Sequence, residues 1–319
     1  MNLPGGVKAQ LELLGLDPAD VGRVIATALA EDLNNGPDVT TQATIPASMV
    51  GRADLVSRAD GVVAGLVVAE AAFRVVGEGG GSAEGVQPSA EPAAPAPPFQ
   101  RGLDLEVTAR VSDGDRVAPG TVLMTVQGPL RGILTAERTA LNLLTHMSGI
   151  ASLTRLWSDA LSGTKARVRD TRKTLPGLRA LEKYAVRCGG GVNHRMSLGD
   201  AALIKDNHVA AAGSVAAAYR AVRALAPEVV VEVECDSVQQ VAEAVGAGAD
   251  LLLLDNFGLD ELREAVALVG GRALLEASGG LRLEDAADVA ATGVDYLSVG
   301  ALTHSASALD IGLDLVQAD

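Results

Sequence analysis

The stretches VVVEVEC at 229–235, DLLLLD at 250–255, RALLEAS at 272–278 and VDYLSVG at 294–300 decide the fold. Each is a short apolar run of strand length, separated from the next by enough chain for one helix, so together they predict a parallel sheet with crossover helices. Two earlier runs, ARVRD at 166–170 and AALIK at 201–205, extend the series. From Lys205 onward the strand ends recur every ~20–30 residues, the repeat of one βα unit, and about six or seven units fit before the chain ends. The expectation is an α/β protein with an incomplete (β/α) barrel; a doubly wound sheet is the alternative.

Before the barrel the pattern differs. The stretches 53–68 and 103–126 alternate partially, with turn signals at Asp113-Gly114 and Pro119-Gly120, as antiparallel strands would. With a helix near 18–30 they predict a smaller α+β domain. Between them, Gly77 to Arg101 carries Gly-Gly-Gly at 79–81 and Pro at 88, 92, 95, 97 and 98. Such a composition buries too little apolar surface to fold alone, and 78–101 reads as a flexible insertion. Its deletion is expected to leave activity intact; a large loss of activity in a folded deletion variant would refute this.

Aliphatic side chains dominate: hydrophobic residues are 48% of the 319 and aromatic ones only 2%, which favours an α/β core. Nothing approaches the ~20 consecutive apolar residues of a membrane span, and the start lacks signal-peptide regions, so a cytoplasmic protein is expected. Cys188 and Cys235 have neither metal-ligand spacing nor the number for a disulfide framework. A formal net charge of −14 argues against general binding of nucleic acid or membrane surfaces. Yet Lys165 to Arg195 holds nine Lys or Arg against two acids, Asp170 and Glu182.

Catalytic groups of a barrel project from the C-terminal ends of its strands, where the βα loops converge. Polar residues fall at those ends here: Asp170 to Thr174, Lys205 to His208, Glu234, Asp255-Asn256, Ser278 to Gly280, and Gly300. Arg172, Lys173, His194, Arg195 and Lys205 supply forks and point charges suited to carboxylates and phosphates. The run Gly189-Gly190-Gly191 before them could bring backbone close to a ligand. Ser278-Gly279-Gly280 and Gly300 occupy the late loops where barrels bind phosphate through backbone N–H groups. Glu234 and Asp255 offer hard oxygen ligands for Mg²⁺ carried by a phosphorylated substrate. A helix over 131–149 would bury positions 140, 143, 144 and 147 and leave Arg138 on another face.

The stretches ERTALNLLTHMSGIA (137–151), RDTRKTLPGLRALEKYAVRCGGGVNHRMSLGDAALIKDNH (169–208), EVECDS (232–237), LLLDNF (252–257), LEASGG (275–280) and GVDYLSVGALTHS (293–305) resemble the quinolinate phosphoribosyltransferase family. EDLNNGPDVTT (31–41) resembles its N-terminal signature. The resemblance covers roughly 20–77 and 103–315, and the block from 169 is the most specific part. It implies that quinolinate and 5-phosphoribosyl-1-pyrophosphate react, with Mg²⁺, to nicotinate mononucleotide, pyrophosphate and CO2 in NAD biosynthesis. It also implies an N-terminal open sandwich over 1–130 joined by 305–319, a barrel over 131–304, and a homodimer with active sites at the subunit interface.

Carried over by motif, Arg138 would enter the partner's site. Arg172, His194, Arg195 and Lys205 would hold the two ring carboxylates, with Lys173 near both substrates. Glu234 and Asp255 would serve the ribose and the Mg²⁺-pyrophosphate, while Ser278, Gly279, Gly280, Gly300 and His304 would cradle the 5-phosphate. Lys173, Lys205, Glu234 and Asp255 are the expected catalytic set. Three other readings stay open: a relative that transfers phosphoribose without decarboxylation, a Schiff-base aldolase using Lys205, and a regulator that binds quinolinate without catalysis.

Overall fold

A computed structural model describes residues 3–77 and 105–316. In chain order its first elements are α1 (Gly5–Leu13), α2 (Pro18–Leu33), α3 (Val39–Thr44), β1 (Val50–Ser57), β2 (Gly61–Val62), α4 (Leu66–Gly77), β3 (Glu106–Ala109), β4 (Arg116–Val117), β5 (Val122–Pro129) and α5 (Leu130–Ala160). There follow β6 (Arg167–Arg169), α6 (Arg179–Cys188), β7 (Ala201–Ile204), α7 (Asp206–Ala212), α8 (Val215–Leu225), β8 (Val230–Cys235), α9 (Val238–Gly246), β9 (Leu251–Asp255), α10 (Leu259–Val269) and β10 (Leu274–Ser278). The last are α11 (Ala286–Ala291), β11 (Tyr296–Ser298), α12 (Ala301–His304) and β12 (Ile311–Val316). The insertion 78–101 lies outside the described residues.

The chain divides into two compact units. In the first, up to Ser152 and again from Ser307, β12, β1, β5 and β3 form an antiparallel sheet in that order. Ala53, Leu55, Leu123, Met124 and Val126 of the sheet are buried, as are Ile25 of α2 and Phe73 of α4. The C-terminal strand β12 pairs along β1 from Arg52↔Val316 to Ser57↔Ile311.

Strand was expected through residue 68, but helix α4 begins at Leu66. Asp113, from the distant turn, accepts from Gly65 N (3.0 Å) and Leu66 N (3.1 Å), capping the helix with a side chain no local pattern announces. Glu70 and Arg74 then pair one turn apart at 2.6 Å. Helices α1 and α3 were not anticipated either; Asp38 caps α3 through Thr41 N. The expected helix over 131–149 is the 31-residue α5. Its positions 140, 143, 144 and 147 are buried as the periodicity required. The boundary between the units falls inside this helix, after Ser152, rather than at 130/131.

The second unit, Leu153–Ala306, is the incomplete barrel. Six parallel strands run in the order β6-β11-β10-β9-β8-β7. Going from β7 to β11 each strand lies beside the next in sequence, and β6 closes onto β11. A doubly wound sheet would reverse direction partway, so that alternative is excluded. Between β6 and β7 the sheet stays open; among the described residues, β6 meets that side through the single bridge Arg169↔Val192. Val231, Val233, Leu252, Leu254, Ala277 and Leu297 are buried. Because all six strands are parallel, their C-terminal ends share one side of the unit.

Among the described residues no helix is long and apolar enough to cross a membrane. The two cysteines form no disulfide; Cys235 is buried, and burial pushes its thiol up to about 12.

Candidate active site

The basic run 165–195 separates into groups with different tasks. Lys165 pairs with Asp295 at 2.6 Å on the surface, and Arg179 donates to Thr174 Oγ1 and the Met196 carbonyl. Lys183 is wholly buried against Asp170, also wholly buried. That pair fixes the next loop: Lys183 Nζ donates to the His194 carbonyl (2.8 Å), while Asp170 accepts from His194 N (2.8 Å) and from Asn193 Nδ2 (2.5 Å). Arg169 reaches Glu276 at 2.5 Å inside the unit. Arg187 donates to Asn193 Oδ1 (2.9 Å) and Arg167 is exposed on β6, which leaves Arg172, Lys173 and Arg195 of the run for the mouth.

Burial first, then the charge of Arg172, pulls the Arg195 guanidinium down from its ordinary value. Arg195 is anchored at two points: its N–H donates to His194 Nδ1 (2.7 Å) and its Nη1 to the Ala201 carbonyl (2.9 Å). Nε of Arg172 and Nε of Arg195 are both buried without a hydrogen-bond partner among the described residues. Two adjacent guanidinium groups with orphaned donors would be relieved by a carboxylate between them.

Lys205 and Glu234 meet at 3.3 Å, with the lysine side chain 49% exposed. Although it ends an apolar strand, Lys205 therefore sits at the rim. At the ends of β9 and β10, Asn256 donates its N–H to the Ser278 carbonyl (2.9 Å) and its Nδ2 to Asp255 (2.7 Å). Gly279, at φ +95°, admits this contact; a Cβ there would lie 2.2 Å from Asn256 Oδ1. Gly280 also has positive φ, +59°, with open space above it. Gly300, His304 and Lys173 cluster, since a Cβ on Gly300 would lie 3.1 Å from both His304 Nε2 and Lys173 Cδ. The Lys173 carbonyl accepts from Thr303 Oγ1 at 2.8 Å, tying the β6 loop to α12.

The structure thus brings twelve expected residues to the strand ends of one unit. Arg138 is exposed on α5 in the other unit. At the triple glycine, side chains already take the space beside two of the residues: Arg155 and Ser158 beside Gly190, Thr154 and Val186 beside Gly191.

His194 differs from expectation in another way. Its Nδ1 accepts from Arg195 N, and its Nε2 lies 2.8 Å from Glu232 Oε2, so both ring nitrogens are engaged inside the protein. Sequence reasoning placed Asp170 at a strand end without giving it a task, and passed over Arg169, Lys183, Glu232 and Glu276 as members of the site. The available signal was a charge inside an apolar strand, in VVVEVEC and LLEAS, where alternation sends Glu232 to the same face as Glu234 and Glu276 to that of Ser278.

Burial pushes His194 down to about 4 and, helped by Glu232, raises Glu276 to about 7. Neutral His194 contributes stability that is present above its unfolded value of 6.5 and lost as pH falls toward 4. Protonated Glu276 contributes stability that is present below 4.5 and lost as pH rises toward 7. Between 4.5 and 6.5 the two slopes oppose each other. His194→Gln is therefore expected to remove the rising contribution, so that stability falls more steeply with rising pH in this window than in the wild type, measured by denaturant melts at each pH.

Residues 38–148 match "Quinolinate phosphoribosyl transferase, N-terminal domain" and 150–314 match "Quinolinate phosphoribosyl transferase, C-terminal domain". A nicotinate-nucleotide pyrophosphorylase [carboxylating] of Mycobacterium leprae is 55% identical over 298 residues, covering 91% of this chain and 95% of that one. A probable nicotinate-nucleotide pyrophosphorylase [carboxylating] of Bacillus subtilis is 37% identical, covering 89% and 90%. The solved nicotinate-nucleotide pyrophosphorylase of Francisella tularensis superposes with a TM-score of 0.81 at 33% identity, over 93% of this chain and 96% of that one. With both domain families matched along most of its length, the chain belongs to the quinolinate phosphoribosyl transferase family.

Proposed function

We propose that this chain joins quinolinate to 5-phosphoribosyl-1-pyrophosphate, releasing pyrophosphate and CO2 and forming nicotinate mononucleotide for NAD biosynthesis. The observation that carries the reading, beside the family, is the pair of part-buried arginines, Arg172 and Arg195, each with a buried Nε that has no hydrogen-bond partner among the described residues. They match a dicarboxylate. Lys205 completes the carboxylate pocket. Ser278, Gly279, Gly280, Gly300 and His304 hold the 5-phosphate, and Lys173, beside Gly300, reaches between phosphate and pocket.

Departure of pyrophosphate leaves positive charge at the anomeric carbon, which the Glu234 and Asp255 carboxylates stabilise. The ring nitrogen of quinolinate, oriented by the arginines, attacks that carbon. Alkylation makes the ring an electron sink, so the carbon–carboxylate bond beside the nitrogen breaks; its electrons remain on the ring carbon, which takes up a proton. Glu234 is tied to Lys205 and Asp255 to Asn256, leaving too few oxygens to cage a cation. This donor set fits Mg²⁺ held mainly by phosphate and water. Bound there, Mg²⁺ neutralises charge on pyrophosphate.

We place the enzyme in the cytoplasm as a homodimer in which the partner's Arg138 enters the site. The Lys205 ammonium is paired and half exposed, without the desolvation a Schiff-base lysine needs. Borohydride with a carbonyl substrate should trap nothing. The deciding experiment incubates the purified protein with quinolinate, 5-phosphoribosyl-1-pyrophosphate and Mg²⁺ and assays nicotinate mononucleotide and CO2. Absence of both products would sink the reading; mononucleotide formation without CO2 would point to a non-decarboxylating relative. For the shared site, inactive Arg138→Ala and Lys205→Ala variants are mixed. Activity should partly return, and silence after demonstrated subunit exchange would count against a trans role for Arg138.

A further inference from the structure

Beneath the mouth lies a buried group that the reaction as derived does not use. Glu232 and Glu276 are 2% and 0% exposed. Arg169 Nη1 lies 2.5 Å from Glu276 Oε2 and 3.8 Å from Glu232 Oε1, with its guanidinium 4.9 Å over the Tyr296 ring. His194 Nε2 lies 2.8 Å from Glu232 Oε2 and 3.7 Å from Glu276 Oε1. At the level of Glu276 the adjacent strand β9 carries Leu253, so an apolar side chain is tolerated at this depth. Two buried carboxyl groups where aliphatic ones fit are a cost in stability that packing does not explain.

The hydrogen bonds give them a task. Since the Arg195 N–H donates to His194 Nδ1, the ring proton must sit on Nε2, where Glu232 accepts it. The imidazole is thereby held from both sides in one tautomer and one orientation. The two carboxyl groups have oxygens within 4.8 Å of each other, and each presents an oxygen, Oε1, that no donor of the described protein meets. One proton between those oxygens satisfies both. His194, Glu232 and Glu276 come within 4.8 Å of one another, a spacing a metal could use. Arg169 already supplies the cation there, and Nε2 carries the proton, so no metal is assigned.

We propose that Glu232, Glu276 and Arg169 are positioning residues for the quinolinate pocket, acting through the His194 ring to fix the backbone of Arg195 and so aim its guanidinium. This rests on the reading of Arg195 as a carboxylate ligand. The order is Arg169 to Glu276, Glu276 to Glu232, Glu232 to His194 Nε2, and His194 Nδ1 to Arg195 N.

The test compares Glu232→Met, Glu276→Met and Glu276→Gln, with Glu232→Gln as a milder replacement should the methionine variants fail to fold. For each folded variant, KM for quinolinate, KM for 5-phosphoribosyl-1-pyrophosphate and kcat are measured. Imidazole ¹⁵N resonances are recorded without substrate, His194 being assigned by its loss in His194→Gln. The wild type should show a protonated Nε2 and an unprotonated Nδ1. Glu232→Met should raise KM for quinolinate by about tenfold, on the order of one lost hydrogen bond, leave the other KM within about twofold, and shift the His194 nitrogens. Glu276→Gln, whose amide offers a donor to Glu232 and an acceptor to Arg169, should restore most of what Glu276→Met loses.

The proposal is overturned by a wild-type proton on Nδ1, by equal changes in both KM values, or by folded Glu232 variants whose His194 resonances and quinolinate KM stay unchanged. A Glu276→Gln variant as damaged as Glu276→Met would also overturn it. The resonances are read without turnover. A wild type that makes no nicotinate mononucleotide would therefore sink the functional reading while the positioning geometry is still tested.

Discussion

Arg195→Ala lowers kcat/KM for quinolinate by about 10²-fold or more, the loss expected when two charge-assisted hydrogen bonds worth about 1.5–3 kcal/mol each disappear. The magnitude follows from how the residue is held. Its N–H and Nη1 are committed to His194 and Ala201, so the ordering entropy of a long side chain is met before substrate arrives. Its Nε is buried and unpartnered, and the neighbouring Arg172 charge opposes its own. A carboxylate between them satisfies a buried donor and removes a repulsion at once. Arg195→Lys should recover little, because a lysine offers a point charge without the planar fork and cannot replace the Nη1 anchor. Steady-state kinetics varying each substrate in turn check this. A loss confined to 5-phosphoribosyl-1-pyrophosphate would remove Arg195 from the quinolinate pocket.

The second large effect is on stability. Lys183→Met leaves the Asp170 carboxyl buried without its cation, an uncompensated burial that costs roughly 3–5 kcal/mol. For a unit of this size that corresponds to a drop in Tm of about 10 °C. Burial already pulls Lys183 down and pushes Asp170 up against their mutual attraction. The pair persists because each partner also holds the loop. Lys183 donates to the His194 carbonyl and Asp170 accepts from the His194 and Asn193 N–H groups. Activity should fall further than the lost folded fraction explains, since the main chain of His194 loses a tether on both sides. Asp170→Leu combined with Lys183→Met should regain part of the lost Tm while activity stays low. Calorimetry with parallel assays separates the two losses. Equal recovery of both would deny the pair any role in placing the loop.

These results bear on how much the chain could tell without its tertiary structure. The central barrel strands were legible because a strand buried on both faces reads as a largely aliphatic run of strand length, as DLLLLD does. The residues of the mouth followed from the same rule, since they stand where those runs end. Helix α4 was not legible: its start depends on Asp113 reaching Gly65 and Leu66 across 47 residues of chain. Nor did the nine basic residues of 165–195 reveal their division of labour. In sequence Lys173 and Lys183 look alike, yet one lies exposed beside Gly300 and the other wholly buried on Asp170.

By itself the amino-acid order determined a parallel barrel with its charged and glycine-rich groups at the strand ends, because hydrophobic period and strand length are local properties of the chain. Tertiary structure alone decided which charges face the mouth and which support it. The fate of a charge depends on what surrounds it from other strands, as the meeting of Arg169 with Glu276 and of His194 with Glu232 illustrates. Those partners stand 107 and 38 residues apart, and only the closing of β6 onto β11 and the order of the strands between them bring their side chains into one buried layer.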